Sequence, residues 1–221
     1  MAAKILTVCN QKGGSGKTTA TMQLAGAFAR RGLSVLVADA DPQGTATRWA
    51  ASASDEHPFP CAVVGVANAG GKVHREIAKF ADNYDLIMID CPPAADSPVP
   101  QSALLVSDLA LVPLVPSPLD LWASVGIREV IGRMSDIHEG LEARLLLNQA
   151  QPNQNLTRET LDILPQFGIS LCKVQWRQRA AFRQSAVWGQ TVHDLDNKAA
   201  IEEVELLADE LLQLLKLSKG N

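Results

Sequence analysis

At 221 residues the chain is long enough for one well-buried α/β domain. Its formal net charge of −4, from 20 Lys and Arg against 24 Asp and Glu, excludes a uniformly basic nucleic-acid-binding surface but leaves room for a local patch. Four scattered cysteines at no metal-ligand spacing, no secretory leader, and no apolar run near the ~20 residues that span a bilayer all lead to the expectation of a cytoplasmic protein.

Short β-branched runs alternate with stretches of helical period. Ile5 to Val8 reads as a first strand, and Lys17 to Arg31 as a helix stopped by Gly32. Leu33 to Ala38 is a second strand, and the Ala/Ser-rich stretch from Thr45 to Ser54 a short helix. Ala62 to Val66 reads as strand, Val73 to Phe80 as helix and Asp85 to Ile89 as strand. The run from Asp108 to Val115 is a strand leading into the turn Pro116-Ser117-Pro118, and Leu119 to Ile137 one helix. Ala143 to Leu147 and Ile169 to Val174 are strands with a helix between them, and Ala199 to Leu217 closes the chain as a helix. This alternation predicts an α/β fold: a mostly parallel twisted sheet with helices on both faces. The expectation is a single domain over 1–221, with no separate N-terminal DNA-reading domain.

Lys12-Gly13-Gly14-Ser15-Gly16-Lys17-Thr18-Thr19 falls between the first strand and the first helix, where a phosphate cradle must sit. Glycines let backbone N–H groups turn inward around phosphates, and the helix N-terminus adds positive potential. Lys17 is placed for the β- and γ-phosphates and the Thr18 hydroxyl for Mg²⁺, so the cofactors expected are ATP and Mg²⁺. The usual motif has glycine five residues before its Gly-Lys pair; here that position is Gln11.

Two acidic segments follow in register. Asp39-Ala40-Asp41-Pro42-Gln43-Gly44 comes after the second strand, at the sheet edge where ligands bind in open α/β folds, although Asp and Pro also serve turn geometry alone. Leu86-Ile87-Met88-Ile89-Asp90-Cys91-Pro92-Pro93 is an apolar strand ending in an acid, the Walker B arrangement that holds Mg²⁺ through water. Pro92 and Pro93 would begin a second switch segment.

The loop resembles KGGxGK[TS], the deviant Walker A signature, and with the acidic segments the whole chain resembles the ParA/ParF partition ATPases of the MinD/ParA superfamily. That resemblance implies a slow Mg²⁺-dependent ATPase that forms a homodimer on binding ATP. Lys12 would reach the partner subunit's nucleotide, Asp41 would orient or polarise the attacking water, and Asp39 would support the Mg²⁺ shell beside Thr18 and Asp90. It implies non-specific DNA binding, nucleoid association, and a cargo adaptor of ParB/ParG type or equivalent that stimulates hydrolysis. The cargo would be a plasmid, a chromosomal region or a large protein assembly. Asn148, ending a late strand, is either an adenine contact, as in related ATPases, or a polar strand cap.

From Ile163 to His193 there is no acidic residue, and Lys173, Arg177, Arg179 and Arg183 lie within that stretch. They read as the DNA patch, or as a solvated face, or as arginines bound to the protein's own carboxylates. The last helix carries Glu202, Glu203, Glu205, Asp209 and Glu210 opposite its leucines, so it is expected to pack on the sheet and not to bind a membrane. Two other readings stand beside the partition ATPase: a MinD-like membrane-associated regulator, and a metabolic P-loop enzyme on the same fold.

Overall fold

The computed structural model describes residues 2–93, 97–151 and 155–218. In chain order the elements are β1 (Lys4–Val8), α1 (Lys17–Arg30), β2 (Val35–Asp39), α2 (Thr45–Ala51), β3 (Ala62–Gly65), α3 (Val73–Ala78), β4 (Leu86–Asp90) and α4 (Pro98–Leu104). They continue with β5 (Leu109–Leu114), α5 (Pro118–Ala123), α6 (Val125–Ile137), β6 (Glu142–Leu147), α7 (Asn155–Ile163), β7 (Ser170–Leu171), α8 (Ala180–Val187) and α9 (Lys198–Leu215).

The strands form one seven-stranded sheet in the order β3-β2-β4-β1-β5-β6-β7, and every pairing is parallel. The expected "mostly parallel" sheet is therefore wholly parallel among the described residues. Both faces are covered. Leu6, Val8, Val35, Val37, Leu86 and Met88 point into a core shared with α1, α8 and α9. Their alternates Ile5, Leu36, Ala38, Ile87 and Ile89 enter a second core with α3, α4 and α6. Period-two side-chain alternation makes both sets apolar, and this is why the strands read as continuous hydrophobic runs.

Register decides where the chemistry falls. Val8 pairs with Asp90, and Asp90 with Asp39, so three strand ends lie level at one edge of the sheet. The loops that follow β1, β2 and β4 consequently open onto the same crevice.

Several boundaries differ from the sequence reading. The single helix expected from Leu119 to Ile137 is two, α5 and α6, divided at Ser124. Ser124 is fully buried, and its hydroxyl bonds to Asn10 Oδ1 and to the Asp120 carbonyl, fixing the break. The strand expected from Ile169 to Val174 is only Ser170–Leu171, although Cys172 and Trp176 still donate to Leu145 and Leu147 of β6. Helix α4 was not foreseen. Its Ser97-Pro98-Val99-Pro100 start looks like a loop, but proline fits a first helical turn and Ser97 caps it through the Val99 N–H. Helix α8 was hidden inside the basic stretch.

The closing helix packs as expected. Val204, Leu207, Leu211 and Leu215 are buried against the sheet. Arg31, at the end of α1, pairs with Glu205 at 2.6 Å and Asp209 at 3.0 Å, and His193 meets Glu205 at 2.7 Å. Cys9, Cys91 and Cys172 are buried and Cys61 is half-buried. Among the described residues no helix is long and apolar enough to cross a membrane.

Candidate nucleotide site

The loop from Gln11 to Gly16 turns on glycines that other residues could not replace. Gly14 has φ +77° and Gly16 φ +91°, both left-handed. Gly16 is also the N-cap of α1, and no side chain caps that helix. Its first-turn N–H groups are therefore left for a ligand, with the helix dipole behind them. Ser15 Oγ is buried with no hydrogen-bond partner among the described residues.

Lys17 is buried, and its Nζ donates to the Lys12 carbonyl at 3.1 Å. Burial lowers its pKa; the negative charge of Asp90 works against this. Asp90 is fully buried and takes the Thr18 hydroxyl at 2.7 Å and, longer, the Thr21 hydroxyl at 3.4 Å. Burial pushes its carboxyl up to about 7, against the Thr18 hydrogen bond. A carboxyl so desolvated, next to a hydroxyl, makes a pair of hard oxygen donors. No three His, Cys, Asp or Glu side chains gather into a metal-binding group among the described residues. The donor set suits a small cation that brings most of its shell as water and phosphate, which is the habit of Mg²⁺.

Asp39 is buried and accepts three hydrogen bonds. Its Oδ2 accepts from Thr47 N at 2.9 Å and Thr47 Oγ1 at 3.0 Å, and its Oδ1 from Asp41 N at 3.2 Å. It ties the loop after β2 to α2. Asp41 is half-exposed, with Oδ1 on Gln43 N at 2.9 Å. It lines a hollow of about 290 Å³ with Gly14, Lys17, Thr18 and Pro93. The residues after Pro93, 94–96, lie outside the described ones.

Lys12 departs from Lys17 in direction. Its side chain is half-exposed and its Nζ lies 3.5 Å from Asp120 Oδ1 on α5, outside its own loop.

Residues 6–186 match the family model described as the CobQ/CobB/MinD/ParA nucleotide binding domain. The chain belongs to this family. It is a P-loop ATPase family, and the resemblance drawn from the motifs holds. The chain is 32% identical over 209 residues to the maintenance of carboxysome distribution protein A of Halothiobacillus neapolitanus, covering 94% of this chain and 95% of that one. Its fold is similar to that of an ATP complex of an aspartate-to-alanine variant of Cyanothece McdA, with a TM-score of 0.81 at 15% identity, over 98% of each chain. It is also similar to cobyrinic acid a,c-diamide synthase from Mycobacterium smegmatis with bound ADP and magnesium, with a TM-score of 0.76 at 22% identity, over 97% and 96%.

Within this ParA-type frame the remaining expected residues divide. Asn148 is buried against the phosphate loop: Nδ2 donates to the Ser15 carbonyl at 2.8 Å, and Oδ1 accepts the Gln149 N–H at 2.9 Å. Only one N–H and one lone pair are left for a base. Gln149 was missed. It holds the Gly14 carbonyl through Nε2 at 3.1 Å from a left-handed backbone, φ +56°, an uncommon conformation outside glycine. Thr21 was missed as well, although its place one helical turn after Lys17 signals it.

The acid-free stretch is not acid-free in space. Glu203 and Glu210 of α9 lie against it: Arg179 grips Glu203 through Nη2 at 2.6 Å and Nε at 3.2 Å, and Lys173 N donates to Glu210 at 2.9 Å. Arg179 therefore ties the start of α8 to α9, the own-carboxylate alternative of the sequence reading. The Arg177 backbone N–H donates to Glu203 Oε2 at 3.1 Å, but its guanidinium reaches Glu203 only at 3.8 Å and stays exposed, as do the side chains of Lys173 and Arg183. Arg177 and Arg183 also rim a hollow of about 110 Å³ beside Gly16, Thr19, Asn148 and Phe182. Trp176 is buried and stacked on Phe182 at 5.0 Å, and so is unable to meet bases.

Proposed function

We propose that this chain is a cargo-positioning ATPase of the ParA type. It dimerises on binding Mg²⁺-ATP, binds DNA without sequence preference, and releases on hydrolysis stimulated by an adaptor. The observation that carries the reading is the opposed direction of its two loop lysines. Lys17 folds into its own loop, while Lys12 leaves it toward α5 and solvent. A lysine held outside its own phosphate cradle is available to a nucleotide held by a second copy.

In this reading the backbone of Gly13, Gly14, Ser15 and Gly16, with Lys17, Thr18 and Thr19, binds the phosphates. The hollow beside Asn148 receives the nucleoside. Thr18 and Asp90 hold Mg²⁺, which supplies positive charge against the phosphate oxygens. Asp41 orients the attacking water at the open side of the loop, and Asp39 fixes the backbone that carries it. Lys12 brings charge from the partner subunit, so hydrolysis waits for dimerisation and serves as a timer. The similarity to a carboxysome distribution protein along nearly the whole chain favours a large protein assembly as cargo.

Light scattering with Mg²⁺-ATP and with Mg²⁺-ADP tests this directly. Wild type should be dimeric only with ATP. Lys12→Ala should bind ATP as a monomer and lose turnover. An intact ATP dimer in that variant, with wild-type turnover, would sink the trans role.

A further inference from the structure

Two consecutive residues after β6 grip two consecutive carbonyls of the phosphate loop. Asn148 Nδ2 donates to the Ser15 carbonyl at 2.8 Å, and Gln149 Nε2 to the Gly14 carbonyl at 3.1 Å. The second grip is built on a disfavoured backbone. Gln149 has φ +56°, a left-handed conformation that residues with a β-carbon rarely take. Its neighbours hold it there. Asn148 Oδ1 accepts the Gln149 N–H at 2.9 Å, so one amide side chain fixes both the loop and the residue beside it. Ala150, next in the chain, donates to the Trp176 carbonyl at 2.9 Å and accepts from the Gln178 N–H at 3.1 Å. Gln149 also borders both hollows of the site, the one with Gly14, Lys17 and Asp41 and the one with Thr19, Asn148 and Phe182. Backbone strain locked in by surrounding bonds at the rim of a ligand site points to a task toward that ligand.

We propose that Gln149 is a positioning residue for the phosphates: by holding the Gly14 carbonyl it aims the Ser15 N–H at them. The proposal rests on the nucleotide reading of the loop. A trans peptide unit points its C=O and its N–H in opposite directions, and the chain has no cis bond among the described residues. Gly14 C=O and Ser15 N–H share one such unit, and Ser15 C=O and Gly16 N–H share the next. With the first carbonyl drawn toward β6 by Gln149 and the second by Asn148, both N–H groups turn away from β6. The sheet order says what lies that way. β5 and β6 stand on one side of β1, and β4 with Asp90 on the other. The two donors therefore face the side of the cradle where the Thr18 hydroxyl meets Asp90. Such pins are needed because of the glycines. Gly14 and Gly16 allow the loop its left-handed turns, and the same freedom lets a peptide unit roll over and offer an anion its carbonyl oxygen. Donors fixed before the nucleotide arrives lose less freedom on contact, which strengthens binding.

The test uses the full chain and two ligands, Mg²⁺-ADP and Mg²⁺-pyrophosphate, which share the phosphates and differ in the nucleoside. Gln149→Gly removes the amide and keeps the left-handed backbone, which glycine takes freely, so without ligand it should melt like wild type. Calorimetry should show both ligands bound more weakly by about fivefold, the worth of one hydrogen bond. Gln149→Asn also tolerates the backbone but ends one methylene short, and should match the glycine variant. The Ser15 amide resonance gives the same answer from ADP alone: it should move on binding in wild type and move less in Gln149→Gly. Weaker ADP with unchanged pyrophosphate, or an unchanged Ser15 shift, would make Gln149 a nucleoside contact. Unchanged affinity for both ligands would make the bond idle, and a lowered melting temperature would make it a prop of the fold. Each of these overturns the proposal and leaves the ATPase reading intact. A wild type that binds neither ligand overturns both.

Discussion

The side-chain amide of Asn148 fills the space into which a β-carbon on Gly16 would project. Gly16 is also left-handed, so it is fixed twice, by backbone conformation and by its neighbour. Gly16→Ala should distort the loop and reduce ATP affinity by a hundredfold or more, roughly the 1–3 kcal/mol of strain plus a lost loop bond. Asn148→Ala in that background relieves the collision without restoring φ, and should recover little. Calorimetry of ATP binding to the two variants and wild type separates the two causes.

Lys17 and Asp41 should fail at different steps. Lys17→Ala should lose ATP affinity and dimerisation together, because it removes the charge inside the cradle. Asp41→Ala should bind ATP and dimerise, yet turn over at least about a hundredfold more slowly, the range usual for a lost base. Its dimer should be long-lived. Phosphate release alongside light scattering resolves these outcomes, and adaptor-stimulated turnover at the wild-type rate in Asp41→Ala would remove the assigned role.

The arginines of the basic stretch should no longer behave as a set. Arg177→Ala and Arg183→Ala should each weaken binding to unrelated duplexes and flatten the log-log salt dependence by about 1. DNA binding should need ATP, since two linked patches add avidity that one lacks. Arg179→Ala should instead lower the melting temperature, because Glu203 loses its two-bond guanidinium partner, at a cost of about 1–3 kcal/mol. Salt titrations and thermal melts of the three variants decide which arginines face DNA.

The clamp of α9 on α1 should respond to acid. Burial pushes Glu205 up, but hydrogen bonds from Arg31 and His193 outweigh it and hold the carboxyl below its ordinary range. A depressed carboxylate stabilises the fold fully above its unfolded pKa, and that contribution is lost as pH falls through the lower folded value. Glu205→Gln should thus cost about 1 kcal/mol near neutrality, kept small by the solvent around the pair, and the difference from wild type should close as pH falls below the ordinary glutamate range. Urea unfolding at a series of pH values measures it.

The phosphate loop and the acid-ended strands were readable because their chemistry is local. A glycine pattern between a strand and a helix, or an aspartate ending an apolar run, needs no knowledge of the rest of the chain. What was missed depends on distant partners. Ser124 looks like any helical residue until Asn10, far away in sequence, takes its hydroxyl and splits α5 from α6. The grip of Thr47 on the Asp39 carboxylate, which ties the loop after β2 to α2, is equally invisible in the sequence. The stretch before α9 looks cationic in one dimension, and the acids that answer it come from a helix more than twenty residues on.

The interior placement of the cysteines makes the chain chemically quiet. Burial pushes the Cys9, Cys61 and Cys172 thiols up to about 12, and Cys91 well above its usual value. Thiolate is the form that alkylating reagents attack, so at ordinary pH the native protein offers them almost nothing. A single cysteine introduced on the exposed side of α5 can therefore carry a fluorophore or a spin label in the otherwise unaltered sequence. Unexpected labelling at Cys9, Cys91 or Cys172 would signal that the interior itself had opened.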